Sequence, residues 1–238
     1  MLVSEFNRQT GTKFSIKCEK SLYKKKSTFQ KIEIYKSKIY GNIMMLDNCF
    51  MLTEKGNNQY HNKCVSLAHR KKSNLKVLII GGGDFGLVKN LFNTIDIRSL
   101  FIVEIDKTVV DVSMKYFPKF FKLTKKIKEK IVIAFDDGYN WIRNNKILFD
   151  IIIIDCTDPN PIAKKLYSKN FYKNIYKSLN QRGVLIQQSG SPILNKNDII
   201  NPTITNLSTI GFKDITLNSF NMPIYPSGLW SFIKCKKA

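Results

Sequence analysis

Short apolar runs recur along the chain from residue 77 onward, and each ends at a glycine or an acidic residue. Residues 77–80 are followed by three glycines, residues 101–103 by Glu104, and residues 151–154 by Asp155. Apolar runs of this length are typical of buried parallel strands when amphipathic segments separate them. The pattern therefore predicts an α/β protein with a doubly wound, mostly parallel sheet.

The region before residue 55 has a different pattern, in which short β-rich runs alternate with polar turns. Strands are predicted at residues 13–17, 30–35, 43–46 and 50–53. Asp47 and Asn48 suit a tight hairpin turn, because both residue types tolerate positive φ. We expect a small antiparallel β domain at residues 1–55 and the main domain at residues 56–238.

Within the main domain, helical and strand patterns alternate. Helices are predicted at residues 58–70, 87–92, 107–116, 141–145, 171–179 and 197–210, and strands at residues 77–80, 101–106, 131–135, 149–155, 183–188, 214–218 and 229–234. The first of these helices would bring Tyr60 and His61 near the mouth of the crevice at the sheet edge.

Glycines at positions 81, 83 and 86 follow the first apolar strand, and Glu104 ends the next one. Glycine lets backbone approach a ligand closely, and an acid at this distance can accept hydrogen bonds from both ribose hydroxyls. Many such glycine patterns are only turns, but this one follows a strand and opens a helix. It favours a nucleoside site in a Rossmann-like fold of the class I methyltransferase type.

Asp84 lies in the glycine turn itself, where a dehydrogenase would hold a pyrophosphate. A carboxylate there would repel such an anion, so it suits a cationic ligand, such as a sulfonium nucleoside carrying an amine. The simpler alternative is that Asp84 only caps the helix beginning near Phe85.

Asp155 and Asp158 flank the turn after the third apolar strand, where open α/β sheets carry their working groups. Together with Asp84 and Glu104 they would gather on one crevice, and buried carboxylates are costly unless a cation joins them. Asp158 could instead serve only an Asx turn before Pro159, but that leaves Asp155 without an explanation.

Composition narrows the class of protein further. The net charge is +21, but the lysines are scattered, which disfavours a specific nucleic-acid partner. The five cysteines are odd in number and lack a Cys-x-x-Cys pair, which argues against a disulfide framework and a zinc site and fits the cytoplasm. No apolar run is long enough to cross a membrane.

Taken together, five motifs resemble the spermidine synthase family of polyamine aminopropyltransferases. They are Gly81-Gly-Gly-Asp84, Val103-Glu104-Ile-Asp106, Asp137-Gly138, Asp155-Cys-Thr-Asp158-Pro159 and Met222-Pro-Ile-Tyr225-Pro-Ser-Gly228. The resemblance implies transfer of the aminopropyl group of decarboxylated S-adenosylmethionine, a co-substrate, to putrescine, which gives spermidine and methylthioadenosine. It also implies a homodimer or homotetramer that needs no metal or prosthetic group.

The resemblance assigns roles residue by residue. Asp155 would be the base, with Tyr60 beside it. The donor would be bound by Gln30, Asp84, Glu104, Asp137, Gly138 and Ile162. The diamine would be bound by His61, Asp84, Asp155, Asp158 and Tyr225. Asp84 would also disfavour ordinary S-adenosylmethionine by repelling its α-carboxylate.

The chain departs from the family pattern at several positions. Gly56, Asn57 and Asn62 replace acids, and Phe85 places a ring where the nucleoside normally runs. Gly190 replaces a glutamate that faces the acceptor, so we expect weaker diamine binding. We also expect the main domain to lack the C-terminal segment usual in the family.

Two alternatives stay open at this point. A class I methyltransferase acting on intact S-adenosylmethionine, for example with RNA as its substrate, would share the nucleoside fold and would give the positive charge a purpose. A catalytically decayed homologue retained as a scaffold would account for the lost acids.

Overall fold

The computed structural model describes residues 1–8 and 10–238. The strands are β1 Leu2–Asn7, β2 Thr12–Lys17, β3 Lys20–Lys26, β4 Lys31–Ser37, β5 Gly41–Leu46, β6 Cys49–Thr53, β7 Leu75–Gly81, β8 Ile97–Glu104, β9 Ile131–Phe135, β10 Phe149–Asp155, β11 Leu179–Gln188, β12 Lys213–Asn221 and β13 Leu229–Lys236. The α-helices are α1 Asn58–Ala68, α2 Val88–Thr94, α3 Lys107–Tyr116, α4 Lys125–Lys128, α5 Gly138–Asn144, α6 Lys169–Ser178 and α7 Asn201–Ile210.

A seven-stranded sheet forms the centre of the fold, in the order β12-β13-β11-β10-β7-β8-β9. The strands from β11 to β9 are parallel, and β13 and β12 join antiparallel. The Ile151–Ile154 run is fully buried because both faces of the sheet are covered. Asp155 pairs in register with Gly81, so these two strands end at the same level.

Helices cover both faces of this sheet, as the doubly wound prediction requires. One apolar cluster joins α1 and α2 to the face that carries Val77 and Ile79. The other joins α5, α6 and α7 to the face that carries Leu78 and Ile80. Alternate side chains of β7 thus enter opposite clusters, which is the period-two geometry of a strand.

The N-terminal region forms two antiparallel sheets. Strands β3 to β6 make a four-stranded sheet, and β1 and β2 make a separate hairpin. Asp47 and Asn48 both have positive φ, as expected for the predicted tight turn. Ile32, Ile34 and Met44 of the sheet pack against α3, which fixes the N-terminal region over the carboxyl ends of the parallel strands.

The fold differs from the sequence prediction in several elements. Strands β1 and β3 and the short helix α4 are absent from the prediction, and in β3 four lysines mask the apolar pattern. The predicted helix 197–210 is two elements, a π-helical turn at Lys196–Ile200 and α7, whose first turn carries Pro202. No helix in the described residues is both long and apolar enough to span a bilayer.

Candidate active site

A cavity of about 330 Å³ lies at the carboxyl ends of β7, β8 and β10, beneath the N-terminal sheet. Every site residue predicted from the sequence lies on its wall: Gln30, Tyr60, His61, Asp84, Glu104, Asp137, Gly138, Asp155, Asp158, Ile162 and Tyr225. The cavity occupies the edge of an open α/β sheet at which ligands are expected to bind.

The glycines after β7 are required by close contacts within the chain. Gly81 has φ +87°, and a Cβ on it would lie 2.1 Å from the backbone oxygen of Asp155. A Cβ on Gly83 would lie 2.8 Å from a carboxylate oxygen of Glu104. The glycine turn therefore lets two acidic strand ends approach the same backbone.

Glu104 is buried at the end of β8, and its two carboxylate oxygens accept hydrogen bonds from backbone. The Gly83 N–H donates at 3.1 Å and the Asp106 N–H at 2.9 Å. Burial is the main cause that raises the pKa of Glu104 to about 7, although these bonds oppose the shift. The carboxylate is thus held in a fixed orientation at the cavity wall.

Gln30 reaches the cavity from the N-terminal sheet and is tied to the end of β8. Its Nε2 donates to Oδ2 of Asp106 at 3.1 Å, and the Ser27 hydroxyl donates to the same oxygen at 2.6 Å. Asp106 also caps α3 through the Thr108 N–H. These bonds connect the N-terminal sheet to the wall that carries Glu104.

Asp137 and Gly138 form the start of α5. Asp137 accepts from the N–H groups of Tyr139 and Asn140, so it is the N-cap of this helix. A Cβ on Gly138 would lie 2.5 Å from Cγ2 of Ile80. Close packing on β7 therefore explains the glycine, in addition to any room it leaves for a ring. Ile162 lies on the same part of the wall.

The expectation that the Phe85 ring obstructs the nucleoside is wrong. Phe85 has φ +62°, and its ring is buried and stacked on Phe121 at 4.5 Å between centroids, away from the cavity wall. Asp84 remains on the wall, where its Oδ1 accepts from the Gly86 N–H at 2.8 Å. This bond closes an Asx turn rather than capping α2, which begins only at Val88.

Asp155 and Tyr60 form a direct hydrogen bond, in which the phenol donates to Oδ1 of the carboxylate. Burial, together with the nearby charge of Asp84, raises the pKa of Asp155 to about 7, against the opposing effect of this bond. Burial also raises the pKa of Tyr60 well above its usual range. At neutral pH Tyr60 is a hydrogen-bond donor, and Asp155 is poised to exchange a proton.

His61 is buried, whereas the sequence placed it at the crevice mouth. Its ring lies edge-on to Phe120, with centroids 5.6 Å apart. A Cβ on Gly86 would lie 2.2 Å from Nε2 of His61, so this glycine makes room for the imidazole. Burial lowers the pKa of His61 and so favours the neutral ring, whereas the nearby charge of Asp84 acts in the opposite direction.

A second part of the cavity wall is organised by Gln188, which the sequence analysis did not identify. Its Nε2 donates to Oδ1 of Asp158 at 2.8 Å, and its Oε1 accepts from Nε1 of Trp230 at 3.1 Å. The Tyr225 hydroxyl donates to the backbone oxygen of Met51 at 2.7 Å. These groups come from the ends of β10, β11, β13 and the N-terminal sheet.

Glu5 is a further acid that the sequence analysis missed. It lies on the cavity wall, and its Oε2 accepts from the Phe50 N–H at 2.8 Å. Burial raises the pKa of Glu5 to about 7, and the charge of Asp158 adds to the shift. No local motif marks this residue, which lies in the short segment Leu2-Val-Ser-Glu-Phe-Asn7.

The departures from the family pattern are accommodated. Asn57 lies on the cavity wall, and its Oδ1 accepts from the Thr53 N–H and hydroxyl, both at 2.9 Å. Asn62 lies off the wall and accepts from Asn90 at 3.1 Å. Gly190 has φ +71°, and a Cβ on it would meet Asn195, so its position does not face the cavity. The expectation of weaker diamine binding stays a prediction.

The cavity walls offer no metal site. Within residues 1–8 and 10–238, no three His, Cys, Asp or Glu side chains are grouped so as to hold a metal ion. The carboxylates instead receive hydrogen bonds from backbone, Tyr60 and Gln188. Such an arrangement can hold an organic cation and accept a proton from it.

Two family models match this chain, and together they account for almost all of it. Residues 57–238 match the spermine/spermidine synthase domain, and residues 2–54 match the spermidine synthase tetramerisation domain. The first match covers the seven-stranded sheet, and the second covers the antiparallel sheets of the N-terminal region.

Individual relatives agree with these models. The chain is 38% identical to a polyamine aminopropyltransferase of Methanocaldococcus jannaschii, over 94% of this chain and 75% of that protein. It is 37% identical to a polyamine aminopropyltransferase of Thioalkalivibrio sulfidiphilus, over 92% of this chain and 78% of that protein.

Solved structures agree as well. A spermidine synthase in complex with the transition state analogue AdoDATO superposes with a TM-score of 0.90 at 26% identity, over 100% of this chain and 80% of that one. The spermidine synthase of Thermotoga maritima gives a TM-score of 0.88 at 26% identity, with the same coverage.

Proposed function

The chain belongs to the spermine/spermidine synthase family, and we propose that its cavity transfers the aminopropyl group of decarboxylated S-adenosylmethionine to putrescine. The products are spermidine and methylthioadenosine. The enzyme is therefore a polyamine aminopropyltransferase, and the nucleoside is a co-substrate rather than a prosthetic group.

One observation carries this proposal: the cavity of a strongly basic chain is lined by acids. The net charge is +21, yet among the described residues no lysine or arginine lies on the cavity wall. The wall carries Glu5, Asp47, Asp84, Glu104, Asp137, Asp155 and Asp158. A site of one charge sign concentrates ligands of the opposite sign, and here both substrates are cations.

The proposed donor wall consists of Gln30, Asp84, Glu104, Asp137, Gly138 and Ile162. Glu104 accepts hydrogen bonds from the ribose hydroxyls, and the segment around Asp137 and Gly138 holds the adenine. Asp84 faces the aminopropyl ammonium. An intact S-adenosylmethionine would bring an α-carboxylate close to Asp84, and this like-charge contact selects the decarboxylated donor.

The proposed acceptor wall consists of Glu5, His61, Asp158, Gln188, Tyr225 and Trp230. Its two acids neutralise the distal ammonium of the diamine, and Gln188 holds the Asp158 carboxylate in place at 2.8 Å. The aromatic rings of Tyr225 and Trp230, 4.7 Å apart, cover the apolar methylene chain.

Asp155 lies between the two walls and serves as the base. It binds the proximal ammonium of putrescine and accepts one proton from that nitrogen, while the Tyr60 hydroxyl orients the carboxylate. The nitrogen lone pair then attacks the methylene next to the sulfonium. A C–N bond forms, the C–S bond breaks, and its electron pair neutralises the sulfur, which leaves as methylthioadenosine.

Purified protein tests this proposal directly. Supplied with putrescine and the decarboxylated donor, it is expected to form spermidine and methylthioadenosine in equal amounts, as measured by chromatography. Folded protein that binds methylthioadenosine but forms no product would support the decayed homologue instead. Calorimetry that showed tighter binding of intact S-adenosylmethionine would support methyl transfer.

The organisation around the cavity completes the proposal. We place the boundary between the domains at residues 55 and 56, where the antiparallel sheets give way to α1. Residues 2–54 match a tetramerisation domain, so the enzyme is an oligomer. The five cysteines are free thiols, which supports a cytoplasmic location.

A further inference from the structure

The β1–β2 hairpin is a two-stranded sheet that does not join either of the larger sheets. Its register pairs Leu2 with Lys17, Ser4 with Ser15, and Phe6 with Lys13. Because side chains alternate along a strand, these positions share one face, and Val3, Glu5 and Ile16 share the other. We call these the outer face and the inner face.

The inner face closes the acceptor wall. Val3 and Ile16 are buried, and Phe14 lies edge-on to Phe50 with ring centroids 5.5 Å apart. Glu5 accepts a hydrogen bond from the Phe50 N–H and lines the cavity. The acceptor wall thus includes a carboxylate whose position depends on whether the hairpin is seated.

The outer face is apolar and exposed. Leu2 is 70% exposed and Phe6 is 58% exposed, and the partners Lys13 and Lys17 are exposed beside them. An isolated two-stranded hairpin is marginally stable in water. The inner face seats this one, because Val3 and Ile16 join the main apolar cluster, whereas the backbone bonds between Met1 and Cys18 only join its two strands.

We propose that a second copy of this chain covers the outer face in the oligomer and thereby holds Glu5 in the acceptor wall, so that putrescine affinity depends on assembly. The hairpin lies within residues 2–54, which match a tetramerisation domain, so an exposed apolar face here suits contact with another copy. A partner that binds only the seated hairpin stabilises it by mass action. Lys13 and Lys17 form the polar rim around the two apolar side chains.

The coupling rests on the proposed function and is tested with Phe6→Ser, which removes the larger apolar contact of the outer face without touching the inner face. Sedimentation is expected to show smaller particles than the wild type. The KM for putrescine, followed by methylthioadenosine release, is expected to rise about tenfold, the effect of losing one charged contact. Calorimetric affinity for methylthioadenosine should stay unchanged, because the donor wall is outside the hairpin.

The matched control is Leu148→Ser, which removes an exposed apolar side chain just before β10, at the end of that strand remote from the cavity, and should change neither mass nor KM. Dilution of the wild type through its dissociation midpoint gives a second measurement that needs no variant, and the KM should rise over the same concentration range. Dissociation without a change in KM, or an intact oligomer in Phe6→Ser, would overturn the coupling. Undiluted wild type without any turnover would overturn the proposed function as well.

Discussion

The donor wall and the acceptor wall of the cavity are built in different ways. Apart from Gln30 and Ile162, the donor wall comes from consecutive strand ends, at Asp84, Glu104 and Asp137. The acceptor wall gathers groups from both ends of the chain, from Glu5 to Trp230. The first wall is a local feature of the parallel sheet, whereas the second exists only when the hairpin and the antiparallel strands have been placed. The two walls should therefore respond separately to substitution.

Asp155→Asn tests the residue that both walls share, and it should have the largest effect. The amide cannot accept the proton of the ammonium, so kcat is expected to fall by roughly a hundredfold to ten-thousandfold. Methylthioadenosine release measures the loss. Asp111→Asn, an exposed carboxylate, is the control and should retain full activity. Similar rates for the two variants would exclude Asp155 as the base.

Glu104→Gln should damage the donor wall alone. Hydrogen bonds to a charged group contribute about 1.5–3 kcal/mol, so the Kd for methylthioadenosine should rise by roughly ten- to 150-fold. Calorimetry of nucleoside binding gives this value, and steady-state kinetics at saturating donor gives the KM for putrescine. An equal loss of affinity for both substrates would show that the walls are not separate.

Gly86→Ala tests the packing behind both walls. The new methyl group would meet the buried His61 ring at 2.2 Å, so the free energy of unfolding should fall by about 1–3 kcal/mol. Urea denaturation measures it. In a His61→Ala background the same substitution should cost much less, because the clash is removed. An equal cost in both backgrounds would locate the strain elsewhere.

Glu5→Gln should damage the acceptor wall alone, with a rise of about tenfold in the KM for putrescine at pH 8 and no change in nucleoside affinity. Because burial raises the pKa of Glu5 to about 7, the effect of this substitution on the KM should also depend on pH. Glu5 is charged above that pH and neutral below it, so the difference between wild type and variant should shrink on acidification. Glu19→Gln, another acid of the N-terminal region but an exposed one, is the control. A difference that does not depend on pH would contradict a charge role for Glu5.

What could be predicted from the sequence follows the same division. The parallel strands, the glycine turn and the acidic strand ends were predicted because each is encoded within a few neighbouring residues. Gln188 and Glu5 were not, because their partners Asp158 and Phe50 lie 30 and 45 residues away along the chain. Only the register of the strands and the docking of the hairpin bring such groups together.

One substitution relative to the family was also misjudged from the sequence, for a conformational reason. Phe85 has positive φ, and its side chain is stacked on Phe121. The sequence alone carries no sign of this backbone angle, since positive φ is uncommon for a bulky residue such as phenylalanine.

The pH dependence of kcat/KM for putrescine tests the central claim most directly, because it reports the ionisation of the free enzyme. Asp155 must be deprotonated to accept the proton, and burial raises its pKa to about 7. The account predicts that kcat/KM falls by at least tenfold per pH unit below pH 7, because Glu5 loses its charge over the same range, and levels off above it. A value that stays constant from about pH 5.5 to 8 would contradict the assignment of a buried carboxylate as the base.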